Sequence, residues 1–393
     1  MRILLLSGEY PPMQGGVGDY TRELGAALAR QGMEVHVLTS AQAAQGPEPL
    51  TVHPVVARWG WGIGRQAETL ARQIQVDVLH IQYQTAAYGM HPAINLLPRR
   101  LRRVADLARL VTFHDLKEPY LFPKAGPVRR WVNRELARSC DAVVVTNRED
   151  EVAMQREGLA GALHLIPIGS NIAPAPPPGY DRAAWRSQQG VAPDDIVLCY
   201  FGFLNASKGG ETLIRALSLL ASDHRYRLWM VGGQVGASDP TNRAYLGRVQ
   251  TLIGELGLEA RIRWTGYTAA AEVSANLLAA DMAVLPYRDG ASFRRGSLLA
   301  VLAHGLPVVT TRPAVALPEL ADGETALLVP PDDPSALATA IARLAADEIL
   351  RRRLSEGARR VAAEFGWERI AAQHLELYRE ITSSKETRRT PRL

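Results

Sequence analysis

Two adjacent arginines beside the start of a predicted helix could bind an anionic ligand. Arg294 and Arg295 end a polar loop that begins at Asp289, and Gly296 and Ser297 open an apolar helix. The first N–H groups of a helix have no acceptor within the helix, and the positive end of the helix dipole lies there. Guanidinium groups at the same place match phosphate oxygens in charge and geometry. We therefore expect these residues to hold the phosphate groups of a ligand.

Asp289 allows a second explanation of the arginines. Its carboxylate could form a structural ion pair with Arg294 or Arg295, with no ligand involved. In a ligand site, the same carboxylate would orient an arginine or accept a hydrogen bond from a substrate hydroxyl. The sequence leaves both explanations open.

A lysine stands at a second predicted anion site. Lys208 follows the predicted strand Ile196–Phe201 and Gly202, and it directly precedes a helix predicted to begin at Gly209. A cation beside the positive end of a helix dipole is unfavourable unless an anion is near. A solvated surface lysine explains the position equally well. The residues around Lys208 do not form a Walker A motif.

His114 and a pair of glycines mark a third candidate region. Gly15 and Gly16 connect the first predicted strand to the first helix, where glycines let backbone N–H groups approach a phosphate, although a flexible connection is the alternative. His114 follows the predicted strand Leu110–Phe113 and could donate to a sugar hydroxyl or support developing charge; a structural histidine is the commoner case. No histidine pair has metal-ligand spacing, so we predict no protein-bound metal.

Apolar runs of strand length alternate with helical segments along the whole chain. The first run is Arg2–Gly8, and Asp19 is expected to cap the helix after it. The segment Asn171–Gly179 contains four prolines and interrupts the alternation, which resumes at Ile196. Repeated β–α units with short connections imply parallel, doubly wound sheets, which bind ligands at the carboxyl ends of their strands.

The chain is therefore predicted to form two α/β domains of similar size. At 393 residues it is too long for one ordinary core. We place an N-terminal domain at residues 1–172, a linker at 173–180 and a C-terminal domain at 181–366. A further helix is predicted over residues 367–383, followed by a disordered basic tail over 384–393.

The composition favours a soluble protein that binds small acidic ligands. A formal charge of +5 and a pI near 9.3 favour phosphorylated small molecules, then anionic lipid, then nucleic acid, and no nucleic-acid motif appears. Cys140 and Cys199 lie in or beside apolar runs and are expected to be buried thiols. No uncharged apolar run reaches the ~20 residues needed to span a bilayer. We expect a cytoplasmic protein without a nucleic-acid partner.

In their order and spacing, the motifs of the chain resemble those of the retaining GT-B glycosyltransferases of family 4. The resemblance covers nearly the whole sequence, and although each motif is degenerate, the series as a whole is specific. The motifs are Gly15-Gly16, His114-Asp115, Ile166–Gly169, Gly202–Gly209, Val231–Gly233, Trp264–Tyr267, Ala280-Asp281, Pro286, Ala303–Val309, Glu319 and Asp322-Gly323.

The resemblance implies a fold and a set of residue roles. GT-B enzymes have two doubly wound Rossmann-like domains that face each other across a cleft, the first on the acceptor side and the second binding the nucleotide sugar. The final helix crosses back to the first domain after the break at Gly366-Trp367. The catalytic residues would be His114, near the reacting carbon of the sugar, and Lys208, which neutralises the diphosphate. The donor-binding residues would be Gly15, Gly16, Gly202, Lys208, Asp289, Arg294, Arg295, Gly296, Ser297 and Glu319.

The sequence departs from this family at three positions. Two glutamates that usually contact the sugar and the ribose are replaced by Ser292 and Ala300. An arginine that usually pairs with the lysine of the second domain is replaced by Phe203. We hypothesise that Arg294 or Arg295 replaces the lost positive charge. Asp289 or Glu319 would then replace a lost carboxylate contact.

The resemblance implies a retaining, metal-independent hexosyltransferase that needs no cofactor. It would move a hexose from a nucleoside diphosphate sugar to a hydroxyl of a glycan or glycolipid, and the departing phosphate oxygen would accept the proton of that hydroxyl. One alternative, suggested by the missing glutamates, is a non-catalytic GT-B homologue that binds nucleotide sugars. Another is an epimerase or phosphorylase on the same fold; a phosphorylase that uses pyridoxal phosphate would need a Schiff-base lysine, and lysines are scarce in the second domain.

Two arginine-rich stretches raise the question of contact with lipid. Both suit ordinary amphipathic helices, and both suit docking on an anionic membrane. With docking, the acceptor would be lipid-linked and the protein would lie on the inner face of the membrane. The stretches contain Arg99, Arg100, Arg102 and Arg103 beside Leu96, Leu97 and Leu101, and Arg129, Arg130 and Arg134 beside Trp131.

Overall fold

The structure is a computed structural model that describes residues 1–13, 15–116, 126–158, 162–233 and 240–389. The chain divides into two compact units. Unit 1 contains residues 1–169 and the chain from Gly366 onward, and unit 2 contains Ser170–Phe365. The N-terminal part of unit 1 therefore ends at Gly169, whereas the sequence placed this boundary at residue 172.

Unit 1 is built on a parallel sheet of seven strands in the order β3-β2-β1-β4-β5-β6-β7. Buried apolar side chains on both faces of the sheet explain why its strands read as continuous apolar runs. Strand β3 was not predicted from the sequence. The strands are β1 Arg2–Ser7, β2 Glu34–Ser40, β3 Thr51–Val56, β4 Val78–Tyr83, β5 Ala108–Phe113, β6 Ala142–Val145 and β7 Leu163–Leu165, and the helices are α1 Gly16–Arg30, α2 Ile63–Ile74, α3 Leu97–Arg100, α4 Gly126–Ser139 and α5 Arg148–Arg156.

Unit 2 repeats this architecture with six parallel strands in the order β10-β9-β8-β11-β12-β13. The prediction of two doubly wound α/β domains is confirmed. The strands are β8 Ile196–Phe201, β9 Tyr226–Val231, β10 Ile262–Gly266, β11 Met282–Leu285, β12 Val308–Thr311 and β13 Leu327–Val329, and the helices are α6 Arg182–Gln188, α7 Gly210–Leu219, α8 Pro240–Glu255, α9 Ala270–Ala279, α10 Gly296–Ala303, α11 Pro334–Ala346 and α12 Glu348–Glu364.

The last helix, α13 (Trp367–Arg389), packs against α1 in unit 1. The prediction of a disordered tail from residue 384 is wrong for residues 384–389, which are helical; residues 390–393 lie outside the described residues. The Lys385 ammonium explains the extension, because it pairs with Asp141 at 2.7 Å and donates to the Leu107 carbonyl. Arg30 holds the start of the helix through Glu368 at 2.8 Å.

The start of α1 also differs from the sequence expectation. Asp19 was predicted to cap this helix, but the helix begins at Gly16 and Asp19 lies in its first turn. The Glu9 carboxylate accepts hydrogen bonds from the N–H groups of Val17 at 3.0 Å and Gly18 at 3.3 Å. A side chain from the end of the preceding strand therefore satisfies the helix N-terminus.

Buried neutral histidines connect α13 to the sheet of unit 1. The ring nitrogens of His80 lie 2.7 Å from the Thr112 hydroxyl and 2.7 Å from the Tyr378 hydroxyl. His374 donates from Nδ1 to the Ile370 carbonyl at 2.9 Å. Burial lowers the pKa of His374 to about 4 and lowers the pKa of His80 well below its ordinary value. Both rings are therefore neutral at pH 7.

Unit 1 is expected to lose stability on acidification. A buried histidine binds its proton in the unfolded chain near pH 6.5 but not in the folded chain, so stability is fully present above that pH and falls below it. At about pH 5 each such histidine costs about 2 kcal/mol of unfolding free energy. Calorimetric unfolding at about pH 7.5 and about pH 5 measures this loss.

His374→Asn keeps a donor for the Ile370 carbonyl and removes one titrating ring, so it should make the melting temperature less dependent on pH. His224→Asn changes an exposed histidine of unit 2 and should leave the pH dependence as it is in the parent protein. A parent protein whose melting temperature does not fall between these pH values would contradict the account.

Candidate active site

The loops after β8 and β11 meet at the carboxyl end of the unit 2 sheet. After β8 the chain forms a short 3-10 turn, Ala206–Lys208, and Gly209 then caps α7 with a φ of +69°. A β-carbon at Gly209 would lie 1.9 Å from the Pro286 carbonyl oxygen, just after β11. Only glycine allows both this backbone conformation and this close approach. The contact fixes the position of Lys208 relative to the second loop.

The Lys208 ammonium lies beside Gly202 and Ser297. A β-carbon at Gly202 would lie 3.1 Å from Lys208 Nζ and 3.5 Å from Ser297 Cβ. The Lys208 side chain has no hydrogen bond or ion pair with any other residue that the structure describes. Burial and the positive charge of Arg295 lower the pKa of Lys208 to about 8. The ammonium thus stands among groups that favour its neutral form and would gain from an anion.

Arg295 is held in place by a carboxylate, a hydroxyl and an aromatic ring. Its guanidinium donates to both carboxylate oxygens of Asp289, at 2.5 and 2.6 Å, and to the Ser207 hydroxyl at 3.4 Å. It also lies over the Tyr287 ring, 5.0 Å from the ring centre. Its Nε is buried and has no acceptor among the described residues. One donor of a nearly immobile guanidinium therefore remains for another partner.

Asp289 pairs with both arginines, since Arg294 lies 3.5 Å from it. The structural explanation of Asp289 is therefore correct as far as the pairing goes, but Asp289 does not pair with Lys208, for which the described residues provide no acidic partner. Lys208, Arg294, Arg295 and Asp289 lie together at this edge of the sheet. We call these four residues, with Ser297 and Gly296 at the start of α10, the cation cluster.

The first turn of α10 adds neutral donors to the cation cluster. The N–H groups of Leu298 and Leu299 donate to the Arg295 carbonyl. The N–H groups of Gly296 and Ser297 belong to the first turn of the helix, where N–H groups have no acceptor within the helix. The Ser297 and Tyr287 hydroxyls lie 2.8 Å apart. The helix dipole and the side-chain charges are both positive here, so the site suits an anion.

The positions that depart from the family pattern lie close to the cation cluster in the sequence. Ser292 is buried in the loop before α10, and Ala300 is buried within that helix. Phe203, at the position of the usual arginine, is partly exposed and would touch a β-carbon on Gly233. Glu319 is half-buried in the segment that follows β12. The first residues of this segment pack against Gly290.

His114 in unit 1 is half-buried and neutral. Its Nε2 lies 2.9 Å from Gln82 Oε1, and the Tyr20 ring packs edge-on against it at 4.6 Å. Burial, with the nearby His374, lowers the pKa of His114 to about 3. Since Gln82 engages Nε2, Nδ1 is the nitrogen for which the described residues provide no partner. Gln82 and Tyr20 were not identified from the sequence because neither residue type carries a functional signature alone.

Gly15 and Gly16 lie at the start of α1, as predicted, but the donors there already have a partner. The Glu9 carboxylate occupies this N-terminus, and a β-carbon on Gly15 would lie 2.0 Å from its Oε1. Burial raises the pKa of Glu9. A phosphate could reach these N–H groups only after Glu9 moves. No group of three or more metal-ligating side chains occurs among the described residues.

Two family models match the chain over most of its length. A glycosyl transferase 4-like domain matches residues 15–169, and a glycosyl transferases group 1 model matches residues 195–347. The chain belongs to the group 1 glycosyltransferases. The predicted family is thereby confirmed, and this glycosyltransferase is an enzyme by kinship with named enzymes.

Two curated relatives and two solved structures illustrate the likeness. D-inositol 3-phosphate glycosyltransferases of Corynebacterium efficiens and Corynebacterium glutamicum are 29% and 27% identical, each over 98% of this chain and over 96% and 98% of their own lengths. Sucrose-phosphate synthase from Thermosynechococcus elongatus is 26% identical with a TM-score of 0.74, covering 98% of this chain and 99% of that one. HepE of Anabaena, solved with UDP, is 20% identical with a TM-score of 0.75, covering 97% and 100%.

The low pKa of Lys208 can be tested without any substrate. The glycosyltransferase contains only four lysines, so reductive methylation with a ¹³C label gives a spectrum in which Lys208 can be assigned by substitution. Arg295→Gln removes a like charge, and the pKa of Lys208 should rise from about 8 toward its ordinary value.

Arg288→Gln provides the matched control, because Arg288 belongs to the same loop but pairs with Asp332 at 2.8 Å. The pKa of Lys208 should not change in that variant. A fall of the pKa in Arg295→Gln would show that the two cations do not interact as described.

Proposed function

We propose that this glycosyltransferase moves a hexose from a nucleoside diphosphate sugar to a hydroxyl of a glycan or of a lipid-linked acceptor. The cation cluster supports this proposal, because its Lys208 ammonium is buried beside Arg295 and has no acidic partner among the described residues. When the bond from the anomeric carbon to the diphosphate breaks, negative charge develops on the leaving oxygen. Donors and charges that are already fixed in place stabilise such charge most effectively. Lys208, Arg295 and the first turn of α10 supply them.

The transfer proceeds with retention at the anomeric carbon and without a metal. Retention is the outcome expected of the family that the sequence resembles. Lysine, arginine and helix N–H groups together offset the diphosphate charge that a metal would otherwise bind. The acceptor hydroxyl forms the new bond to the anomeric carbon, and its proton goes to the departing phosphate oxygen. No carboxylate base is required.

His114 contacts the transferred sugar in this proposal. A neutral imidazole that uses Nε2 toward Gln82 presents Nδ1 as an acceptor for a sugar hydroxyl. A pKa lowered to about 3 makes the ring a weak base, which disfavours a role as general base near pH 7. The neutral ring suits positioning of the sugar rather than proton transfer.

The cytoplasm is the proposed compartment. Both cysteines are free, Cys199 buried and Cys140 half-buried, and burial raises the pKa of each thiol. Such thiols are typical of proteins kept in a reducing compartment. No helix among the described residues is long and apolar enough to cross a membrane.

A non-catalytic protein that binds nucleotide sugars is the alternative function, and the loss of the glutamate pair is the observation that favours it. The named relatives are enzymes, which supports catalysis. Incubation with UDP-, GDP- and ADP-glucose distinguishes the two functions. A transferase releases the nucleoside diphosphate when an acceptor is present, whereas a binding protein releases none.

Lys208→Ala should lower the rate of transfer by about 10²-fold or more, the usual loss for one preorganised charge donor. Release of the nucleoside diphosphate in the presence of acceptor measures this rate. Arg288→Gln is the control, since it removes a charge from the same loop but outside the cation cluster, and its rate should stay near that of the parent protein. A rate near the parent value in Lys208→Ala, with the variant folded by calorimetry, would refute the assignment.

A further inference from the structure

Positive charge is concentrated in one part of unit 1. Residues 55–138 contain fourteen lysines and arginines against six aspartates and glutamates, a formal charge of +8, whereas the whole chain carries +5. The remainder of the protein is therefore slightly acidic. This segment includes α2, α3, the Leu101–Arg103 turn and α4.

These elements form one continuous surface. Ala67 of α2, Leu97 of α3 and Leu136 of α4 all belong to the same apolar cluster of the unit. Arg72 of α2 donates to the Arg103 carbonyl at 3.4 Å, and Arg99 of α3 lies 3.5 Å from Glu135 of α4. The exposed arginines on this surface are Arg99, Arg100, Arg102, Arg103, Arg130 and Arg138.

Large apolar side chains are exposed on or beside the same elements. On α4, Val128 and Trp131 are one turn apart and are 64% and 57% exposed. Trp61, in the loop between β3 and α2, is 62% exposed and packs edge-on against His91 at 5.2 Å. Leaving tryptophan rings in water forgoes the free energy gained by burying them, so exposed rings on neighbouring elements indicate a partner. We call this surface, with its six arginines and Trp61, Val128 and Trp131, the basic aromatic face.

We propose that the basic aromatic face docks on an anionic phospholipid bilayer. Arginines attract the negative headgroups, and tryptophan rings are stabilised at the boundary between headgroups and acyl chains. A protein partner would need a matching acidic and concave surface, whereas a bilayer offers charge over any area and takes protruding rings without a pocket. The charge pattern and the protruding rings therefore favour lipid.

The docking geometry also bears on the acceptor, in a step that rests on the proposed function. Trp61 follows β3 and so lies toward the carboxyl ends of the strands. Helix α4 connects β5 to β6 in a parallel sheet, so Val128 and Trp131 in the first turns of α4 lie toward the same end. His114 follows β5 at that same end. Docking through these rings would bring this end of the sheet toward the membrane, where an acceptor hydroxyl on a lipid-linked sugar could reach it.

Vesicle co-sedimentation tests the docking directly. The full chain is mixed with phosphatidylcholine vesicles that contain either no anionic lipid or about 30 mol% phosphatidylglycerol, at about 0.1 M and about 0.5 M salt. The protein should bind the anionic vesicles at low salt, with a blue shift of tryptophan fluorescence, and should be released at high salt. Arg102→Gln with Arg103→Gln should weaken binding about 30-fold. Trp61→Ala with Trp131→Ala should weaken it about 10-fold or more and remove the blue shift.

Unit 2 offers a control of matched chemistry. Ile349 and Arg352 on α12 are similarly exposed, and the variant Ile349→Ala with Arg352→Gln should bind vesicles like the parent protein. Binding that is absent in the parent protein, or equal in all three variants, would overturn the proposal. The proposal would also be overturned if sedimentation velocity without lipid showed that the parent protein is a dimer and that the tryptophan variant is a monomer. Nucleotide release with a soluble acceptor is measured separately. A failure of docking can therefore be distinguished from a failure of the proposed transferase reaction.

Discussion

Uncompensated positive charge around Lys208 is the constraint on which the functional half of this structure depends. The Lys208 ammonium has no acidic partner among the described residues and stands beside the Arg295 guanidinium, and the backbone holds both in place. Gly209 lets the Lys208 turn lie against the Pro286 carbonyl. Asp289 holds the Arg295 guanidinium over the Tyr287 ring. The packing of the loops after β8 and β11 supplies the free energy that holds the like charges together, and a bound anion would offset their repulsion.

Unit 1 differs from unit 2 in its electrostatics, because its candidate residues are neutral or already paired. His114 is kept neutral by burial, and Glu9 occupies the first turn of α1. The unit is closed by α13, whose Tyr378 hydroxyl reaches His80 and whose Lys385 reaches Asp141. Charge for a phosphate is thus concentrated in unit 2, whereas unit 1 supplies shape, neutral hydrogen-bonding groups and a basic outer surface.

The sequence predicts the fold well because strand-length apolar runs and the proline-rich segment are local signals. It also places Lys208, Arg295 and Ser297 correctly near the ends of their elements, where the structure brings them together. It does not reveal Glu9 at the start of α1, since that contact spans eight residues and depends on how the loop folds back. Nor does it reveal β3, whose alternate residues are exposed, or the extension of α13, which depends on the distant partner Asp141.

The sequence resemblance implies that charged residues usual in the family are replaced here, but the consequence of this replacement needs the structure. Phe203 and Ala300 show only that two charges are absent. The contacts of Arg295 with Ser207 and Asp289 show that a second cation nevertheless stands beside Lys208. This arrangement supports a rewired donor site over a lost one.

Counting the protons taken up on nucleotide binding tests this account most directly. UDP, GDP or ADP is titrated calorimetrically into the protein at about pH 8, near the pKa of Lys208, in two buffers of different ionisation enthalpy. Binding of the diphosphate beside Lys208 should raise its pKa and take up a fraction of a proton, and Lys208→Gln should take up none. Binding without proton uptake in the parent protein, or equal uptake in the variant, would contradict the central claim.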